Sequence, residues 1–369
     1  MISALSPGKT LFNYIARQFL GWCGGVFLAL LSVVFLLDYV ELIRRSGSKP
    51  EATLVVLFEM AVLKQPFMAQ QIMPFVILFG TMLAFWRLTR SNELVVARAA
   101  GVSVWQFLAP PLSAGAVIGI LMVTVFNPVA SVMQASYERL DDRILRSNDD
   151  QLTLSRTGLW LRQSDDDGNH SIVHADRYLA DAQALRGVTM LFIANDSKLA
   201  KRIDAREAKL ESGAWQVMDG TVWQPSEPLQ TFEHVSVPTN LTPVKIQDSF
   251  AAPETMSFWE LPSFIRLLEG SGFSALRHRL YFDALLARPL LFASMVLIAA
   301  SFSLRMQRRG GTTIMIASGV AAGFALYFVS DVVFALGLSA TIPVSLAAWT
   351  PAGVSCLLGV SLLLHLEDG

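Results

Sequence analysis

Long uninterrupted apolar runs constrain this chain more than any other feature of its sequence. Crossing the roughly 30 Å of hydrocarbon in a bilayer takes about 20 helical residues. Six runs approach or exceed that length, at residues 19–37, 68–86, 104–126, 285–304, 314–336 and 352–366. Hydrophobic residues make up 53% of the chain and charged residues only 16%, which is more apolar than an ordinary soluble domain. The sequence therefore predicts a membrane α-helical protein with six transmembrane helices.

Two of these runs are less regular than the others, and the first lies where a signal peptide would. Pro74 lies inside the second run, where it kinks a membrane helix more often than it prevents one. The sixth run is short unless its helix begins near Pro343. The first run is too long for the apolar part of a signal peptide, and no small-residue cleavage site follows before Asp38. We therefore expect all six helices to remain in the mature chain.

Basic residues in the short connections predict the orientation, because cytoplasmic loops carry an excess of lysine and arginine. With a cytoplasmic N-terminus, the inner segments hold eight such residues, namely Lys9, Arg17, Arg87, Arg90, Arg98, Arg305, Arg308 and Arg309. The outer short loops hold three, namely Arg44, Arg45 and Lys49. This bias predicts that both termini are cytoplasmic and that the long segment between the third and fourth helices lies outside.

That long segment, about residues 140–255, is polar and has the pattern of a β-domain. Short runs with alternating polarity, typical of strands, occur at 158–163, 171–179, 187–194, 202–210, 214–224 and 232–237. Evenly spaced short strands indicate a sandwich, a jelly roll or an open barrel. We predict three parts: helices one to three at 1–137, an inserted β-jelly-roll domain at 138–256, and a linker helix with helices four to six at 257–369.

Several classes of chemistry find no support in the sequence. The net charge is −1, so no overall basic field indicates nucleic acid. Neither the five histidines nor the two cysteines form a spacing typical of a zinc site, and no G-x-S-x-G nucleophile turn is present. We therefore predict a protein that is not an enzyme and binds no cofactor of its own.

Ionisable residues cluster at the outer ends of the predicted helices. On one helix, Asp38, Glu41 and Arg45 share a side, and Arg44 is adjacent. Such groups either mark the end of a membrane span or form a rim that meets an anionic amphiphile or a partner subunit. Asp331 either caps a helix end, lines a cavity or pairs with a basic group of a partner, because an unpaired carboxylate within a span is costly. Further candidates of the same kind are Lys49, Lys64 and Arg288.

The loop SNELVVARAAGVS (91–103) resembles a short helix more than a simple connection. Ser91 is a candidate N-cap, and Glu93 falls in the first turn, where the helix dipole favours a negative charge. Leu94, Ala97 and Gly101 share one side, Arg98 lies on another, and Gly101 can supply the left-handed stop. This segment either rests on lipid headgroups or docks into a groove of another protein.

Glycine pairs at four-residue spacing occur in three of the apolar runs, at Gly21/Gly25, Gly115/Gly119 and Gly319/Gly323. Such pairs allow membrane helices to approach closely. They serve either packing within the chain or an interface with another subunit.

The whole pattern resembles the LptF/LptG family of lipopolysaccharide export permeases. The resemblance is carried by six spans with a β-domain between the third and fourth, and by four motifs. These are SNELVVARAAG (91–101), GLW (158–160), TNLTP (239–243) and the aspartate of LYFVSDVVF (326–334). GLW and TNLTP are more similar to the LptG branch than to the LptF branch. One departure concerns Asp38, because LptG members can carry a lysine there.

The resemblance implies a transport subunit and its partners. The chain would pair with an LptF-like permease and with a dimeric cytoplasmic ATPase resembling LptB, which holds ATP and magnesium. Helices one and five would form lateral gates, and the β-domain would be a periplasmic jelly roll that passes lipopolysaccharide to LptC-like and LptA-like bridge proteins. The implied localisation is the bacterial inner membrane, with extraction of lipopolysaccharide from its outer leaflet.

The resemblance also assigns roles to residues. The coupling helix at 91–101 would contact the ATPase through Glu93, Leu94, Ala97, Arg98 and Gly101. The lipid-binding rim would comprise Asp38, Glu41, Arg44, Arg45, Lys49, Lys64, Arg288 and Asp331. The lipid path in the β-domain would include Trp160, Phe192, Trp215 and Trp223, each of which is equally suited to fill a core.

Three alternatives remain open at this point. The first is that the chain is the LptF-like subunit of the same exporter. The second is a mechanotransmission protein driven by a cytoplasmic ATPase, and the third is a membrane scaffold without an ATPase. Mechanotransmission proteins usually have four spans, so six helices would argue against that class.

Overall fold

The computed structural model describes residues 8–367 except 48, 50–51, 147–150, 156–157, 165–169, 180–183, 194–198, 212, 226, 240–249 and 305–311. The chain folds into two compact units. A helical unit comprises residues 1–140, 254–259 and 279–369, and a β unit comprises residues 141–253 and 260–278.

Long helices account for most of the helical unit. In chain order, the described helices of both units are α1 (Lys9–Ser46), α2 (Leu54–Arg90), α3 (Glu93–Ala99), α4 (Val104–Leu121), α5 (Asn127–Asp141), α6 (Leu261–Gly270), α7 (Leu276–Ser303), α8 (Thr312–Leu338) and α9 (Val344–Glu367). Of these, α6 belongs to the β unit. A π-helical turn, Met122–Phe126, joins α4 to α5 without a break, a second one, Asp142–Arg146, follows α5, and a 3₁₀ turn, Pro253–Thr255, precedes α6. We call the end of the bundle at which residues 142–253 are inserted the insertion end.

All six predicted membrane helices are present. Six helices are long and apolar enough to cross a bilayer, and each contains one of the predicted runs. Pro74 lies within α2 without ending it, as expected. The sixth helix begins at Val344, directly after Pro343, and so reaches full length. In hydrocarbon a chain must satisfy its backbone polar groups internally, and a continuous helix does so.

The six helices differ in how much of their apolar surface the chain itself covers. In the most apolar window of α7, 61% of the residues are buried, and in α2 the share is 50%. The corresponding shares for α1 and α8 are only 6% and 11%. Helices α2 and α7 therefore form the centre of the bundle, whereas α1 and α8 present broad apolar faces outward.

The predicted glycine contacts fall into two groups. A Cβ at Gly119 would lie 2.6 Å from Cα of Pro289, and one at Gly323 would lie 2.8 Å from the side chain of Leu78. These two pairs therefore serve packing within the chain, between α4 and α7 and between α8 and α2. At Gly21 and Gly25 a Cβ would meet nothing within 4 Å among the described residues. The exposed side of α1 thus carries a glycine pair that is open to a partner.

The described strands of the β unit form one antiparallel sheet and follow one another in sequence order. The strands are β1 (Gln151–Ser155), β2 (Gly158–Ser164), β3 (His170–Leu179), β4 (Ala184–Ile193), β5 (Leu199–Glu211), β6 (Ala214–Trp223) and β7 (Gln230–Pro238). All six predicted strands are confirmed, and β1 is an addition. The described strands form a seven-stranded meander, so the jelly-roll arrangement stays a prediction.

Within strands β3 to β6, the alternation of buried and exposed side chains shifts by one residue. The shifts in neighbouring strands lie next to one another and form a line across the sheet. On one side of the line Val173, Val188 and Ile203 are buried, and on the other Tyr178 and Leu185 are buried at odd-numbered spacings from them. Alternation in a regular strand would send these two sets to opposite faces. Left-handed residues lie at the line, with φ +63° at Gly187 and φ +51° at Asp219. The backbone irregularity there allows the two sets of buried side chains to lie on one face.

Candidate functional site

The first polar feature of the insertion end is an ion pair that links α1 to α2. Lys64 Nζ donates to Asp38 Oδ1 at 2.5 Å, and the two side chains are only 21% and 12% exposed. The ammonium group also lies 5.5 Å from the ring centre of Tyr137 on α5. The second oxygen of Asp38 is buried and has no hydrogen-bond partner in the described part of the chain. The pair therefore joins α1 to α2 through one oxygen of the carboxylate, and the ammonium group also contacts α5.

A second ion pair lies on the exposed side of α1. Arg44 donates to both oxygens of Glu41, each at 2.8 Å, one turn apart on the same helix. Both side chains are exposed, so solvent screens most of this interaction. The expected common face of Asp38, Glu41 and Arg45 is thus divided, because Asp38 turns toward α2 and Glu41 toward Arg44.

A network of neutral polar groups surrounds Arg288 within the bundle. Gln70 Oε1 accepts from Arg288 Nη1 at 2.6 Å and from Asn127 Nδ2 at 3.4 Å. Asn127 Oδ1 in turn accepts from the backbone N–H of Phe258 at 2.8 Å. Gln70 and Asn127 are 3% and 0% exposed. The predicted site includes Arg288 and leaves out Gln70 and Asn127, because sequence alone does not show that Gln70 meets Arg288, 218 residues away, and Asn127, 57 residues away.

Arg288 opens onto a cavity of about 220 Å³ between α2, α7 and α8. The cavity is also lined by Gln71, Phe75, Phe292, Met295, Leu326 and Tyr327. Its wall is apolar except for the guanidinium group and a few neutral polar side chains, a composition typical of small-molecule sites. The arrangement can hold an apolar group and an anionic group at the same time.

Asp331 does not line this cavity, although its neighbour Ser330 does. It is exposed on α8, seven positions before the helix ends at Leu338. That position excludes capping of the helix end. Like α1, α8 has a broad exposed apolar face, and pairing of Asp331 with a basic group of a partner stays a prediction.

At the opposite end of the bundle, α3 forms the predicted short helix. Its N-cap is Asn92 in a left-handed conformation with φ +59°, so the prediction that Ser91 caps it is wrong. Ser91 instead ends α2, and its hydroxyl donates to Glu93 Oε1 at 2.8 Å. The left-handed conformation of Asn92 turns the chain sharply between α2 and α3. Ser91 therefore lies one residue before the N-cap, at the C-terminal end of α2. Glu93 is thereby held in the first turn.

The two sides of α3 have different surroundings. Leu94 is buried in the bundle core, and Ala97 packs against the same core. Val95 and Val96 are 50% and 68% exposed, and Arg98 is also exposed. Leu94 and Ala97 therefore anchor the helix to this chain. The outward surface combines two valines that the site prediction did not include with Arg98, and Glu93 lies half-buried beside them.

Gly101 ends α3 as predicted. Its φ is +87°, its N–H donates to the carbonyl of Arg98, and the N–H of Val102 donates to the carbonyl of Ala97 at 3.1 Å. These two bonds form a Schellman motif, which needs a left-handed residue at this position.

We expect Gly101→Ala to destabilise the end of α3 by about 1 to 2 kcal/mol, because an alanine strains in the left-handed region. Hydrogen exchange should accelerate at the amides of Gly101 and Val102 and stay unchanged in the centre of α7. Gly353→Ala is the matched control, since its Cβ would meet nothing within 4 Å in the described structure. Equal exchange in both variants would contradict the role of the motif.

The four aromatic candidates of the β unit have different environments. Trp215 is 1% exposed and belongs to the core. Trp160 is 40% exposed, lies on the face opposite the buried Leu159, and has its ring centre 4.3 Å from that of His174. Trp223 is also 40% exposed. The ring centre of Phe192 lies 5.8 Å from Nζ of Lys201, which is positioned over the ring face. Contact with lipid stays a prediction for all four.

Metal-dependent chemistry finds no site in the described ranges. Among those residues, no group of three or more His, Cys, Asp or Glu side chains converges. The polar groups that line the cavity are an arginine, two amides and two hydroxyl groups, which suits binding of an anion.

Comparison with known proteins gives a consistent result. A family model described as the lipopolysaccharide export system permease LptF/LptG matches residues 13–365. The lipopolysaccharide export system permease protein LptG of Escherichia coli strain K12 is 24% identical over 367 residues, covering 98% of this chain and 99% of that relative. The protein of the same name from Haemophilus influenzae is 23% identical over 352 residues, covering 93% and 95%.

Proposed function

We propose, from the premise that the chain belongs to the LptF/LptG family of lipopolysaccharide export permeases, that it is the LptG-type subunit of an ATP-driven exporter. In this role it extracts lipopolysaccharide from the outer leaflet of the inner membrane and passes it to a periplasmic bridge. The observation that carries the proposal is the match of the family model to residues 13–365, a range that includes six membrane-spanning helices and the β unit.

The energy for export comes, in this proposal, from another chain. We propose a dimeric cytoplasmic ATPase of the LptB type, which binds the ATP and magnesium, while this chain binds no cofactor. Two observations support α3 as the coupling helix. Leu94 anchors it rigidly to the bundle, and Val95 and Val96 leave an apolar outward surface. A helix held in this way transmits a movement as a rigid body.

An LptF-type permease is the proposed partner within the membrane. The wide exposed faces of α1 and α8, together with the open glycines Gly21 and Gly25, support an interface or gate on these two helices. Apolar helix faces of this kind meet either lipid or another apolar helix. In the proposed cycle they separate to admit lipopolysaccharide from the side.

The proposed topology places both termini in the cytoplasm and the β unit in the periplasm. Counting of basic residues in short loops supports this orientation. The β unit then passes acyl chains along its apolar face to LptC-like and LptA-like bridge proteins. Six membrane-spanning helices argue against a mechanotransmission protein, which usually has four.

A photo-crosslinking experiment tests this proposal in the assembled complex. A photoreactive amino acid in place of Arg44, which is exposed at the insertion end, should capture lipopolysaccharide in membrane vesicles when ATP is turned over. Without ATP, or with an inactive ATPase, we expect little capture. Capture of phospholipid alone would assign the chain to another lipid. Purification of the complex without any nucleotide-hydrolysing subunit would contradict the exporter and favour a scaffold.

A further inference from the structure

We propose that Arg288 and Gln70 form an anion-binding site inside the bundle, which holds a phosphate of a lipid whose apolar part enters the cavity between α2, α7 and α8. The site would determine which lipids the permease retains. The inference rests on the proposed transport of a phosphorylated lipid, and it assigns the phosphate to a position away from the charged rim at the end of α1.

The charges of the other candidate residues point to Arg288. Lys64 is paired with the carboxylate of Asp38, and Arg44 is paired with that of Glu41. Arg288 differs, because its described hydrogen bond goes to the neutral oxygen of Gln70, and no carboxylate among the described residues forms an ion pair with it. A guanidinium group within a span is costly unless an anion or water compensates it. Arg288 therefore gains more from an incoming phosphate than Lys64 or Arg44 does.

The guanidinium group has unused donors on the cavity side. The guanidinium group carries five N–H groups, and one of them donates a hydrogen bond to Gln70. None of its nitrogen atoms is among the fully buried polar atoms that lack partners, and the residue lines the cavity. Because Arg288 lines the cavity, and its hydrogen bond of good geometry within the described residues goes to Gln70, the remaining donors are the groups that we assign to the ligand. A phosphate can accept two parallel N–H bonds from such a group.

Gln70 holds the guanidinium group in place without neutralising it. Its oxygen also accepts from Asn127, and Asn127 is in turn fixed by the backbone N–H of Phe258. This chain of bonds links Arg288 of α7 to α2 and α5, and every acceptor in it is neutral. The carboxylate counterpart of the same shape, glutamate at position 70, would pair with Arg288 and remove its attraction for an external anion. The neutral amide is thus the feature that keeps the site available.

The cavity wall indicates the chemical class of the ligand. Phe75, Leu326 and Tyr327 form apolar surface next to the guanidinium group. A free inorganic anion would leave that surface without a partner. A volume of about 220 Å³ admits a headgroup fragment or the first part of an acyl chain, and not a whole lipid. The ligand is therefore an amphiphile with its phosphate at Arg288, either lipopolysaccharide or an anionic phospholipid.

A buried hydroxyl group on the same helix adds a second polar group to the site. Tyr281 lies two turns before Arg288 on the same side of α7, close enough for the two side chains to interact electrostatically. Its side chain is 7% exposed, and its hydroxyl has no hydrogen-bond partner of good geometry in the part of the chain that the structure describes. Buried hydroxyl groups are normally bonded. Tyr281 does not line the cavity, so its hydroxyl acts on the site only through its electrostatic interaction with Arg288.

The sharpest test is Gln70→Glu in the purified complex with its partner subunits. The substitution keeps the shape of the side chain and supplies a carboxylate to Arg288. We expect retained lipopolysaccharide and retained phosphatidylglycerol, counted per complex by native mass spectrometry, to fall about tenfold, the scale of one charge-assisted contact. Thermal stability of the complex should stay equal or rise. A merely structural role of Gln70 predicts unchanged retention, because the ion pair preserves the link between α2 and α7.

Two substitutions of the arginine complete the test. Arg288→Gln should reduce retention by a similar factor, and Arg288→Lys should restore part of it, since the charge returns without the paired geometry. The matched control is Arg139→Gln, which removes an exposed arginine that donates to Ser136 on its own helix. Retention in the control should equal that of the unaltered complex. Neutral diacylglycerol, which lacks a phosphate, should bind equally to all four variants.

The outcomes separate this inference from the proposed function. If the unaltered complex retains phosphatidylglycerol in an Arg288-dependent way but no lipopolysaccharide, the site stands and the export of lipopolysaccharide fails. If it retains lipopolysaccharide and neither Gln70→Glu nor Arg288→Gln lowers the amount, export stands and the site is overturned. If retention falls only together with the yield of folded complex, and Arg288→Lys does not restore it, Arg288 is a packing residue and the inference is overturned.

Discussion

Replacing Glu93 with arginine is expected to abolish lipopolysaccharide export. Glu93 lies in the first turn of α3, where Ser91 holds its carboxylate, and the exposed Val95 and Val96 follow it. Reversal of a charge at a protein interface costs about 2 kcal/mol or more, which lowers affinity about thirtyfold. We expect the amount of ATPase that copurifies with the permease to fall by at least that factor, and cells that depend on this variant to stop growing.

Two further variants separate docking from folding, and a third provides a control. Glu93→Gln keeps a hydrogen-bond acceptor for Ser91 and should retain partial association. Val96→Asp should weaken association as Glu93→Arg does, because it places a charge on the apolar outward surface. Glu227→Arg, the control, reverses an exposed acid in the β unit and should leave ATPase association unchanged. Normal growth and full complex yield with Glu93→Arg would refute the coupling role of α3.

Asp38→Lys is expected to destabilise the bundle by about 3 kcal/mol, the usual cost of breaking a largely buried ion pair. The new ammonium group would face that of Lys64, which is 21% exposed and lies over the ring of Tyr137. Neither cation has an easy route to bulk water, so their repulsion is not screened. The midpoint of thermal unfolding in detergent should fall by several degrees. Asp38→Asn should produce a smaller loss, because it leaves one unpaired ammonium group.

The charge swap provides the decisive control. The double variant Asp38→Lys with Lys64→Asp restores opposite charges across α1 and α2 and should recover most of the lost stability. Glu41→Lys serves as the matched comparison, since the Glu41–Arg44 pair is exposed and should contribute no measurable stability. If the double variant is as unstable as Asp38→Lys alone, the pair does not link the two helices.

This pair also accounts for the unusual Asp38. The resemblance led us to expect a lysine at that position of α1. In the structure, Lys64 of α2 brings an ammonium group to the same place, 26 residues later in the chain. The cation is therefore present but neutralised, so it is a weaker candidate for a lipid phosphate than a lysine of α1 would be. Because the ammonium group comes from α2 and is neutralised by Asp38, Arg288 contributes more to the proposed recognition of the lipid phosphate.

The local elements of this protein were predictable because their causes are local. A run of about 20 apolar residues in hydrocarbon must form a helix to satisfy its own backbone, and all six runs did. Alternating polarity bounded by turn residues likewise predicted six of the strands, and a glycine after the last turn of α3 predicted its left-handed end. The orientation toward the cytoplasm follows from charge counting and remains a prediction.

The partners of the polar side chains depended on tertiary structure alone. Periodicity placed Asp38 and Glu41 on one face of a helix, but contacts with other helices decided which group each would bind. Gln70 and Arg288 are 218 residues apart and meet because α2 and α7 pack at the centre of the bundle. Sequence also could not tell that Trp215 fills a core while Trp160 is exposed. The runs of apolar residues determined the helices and alternating polarity determined the strands, whereas long-range packing decided which charges are neutralised and which remain available for a ligand.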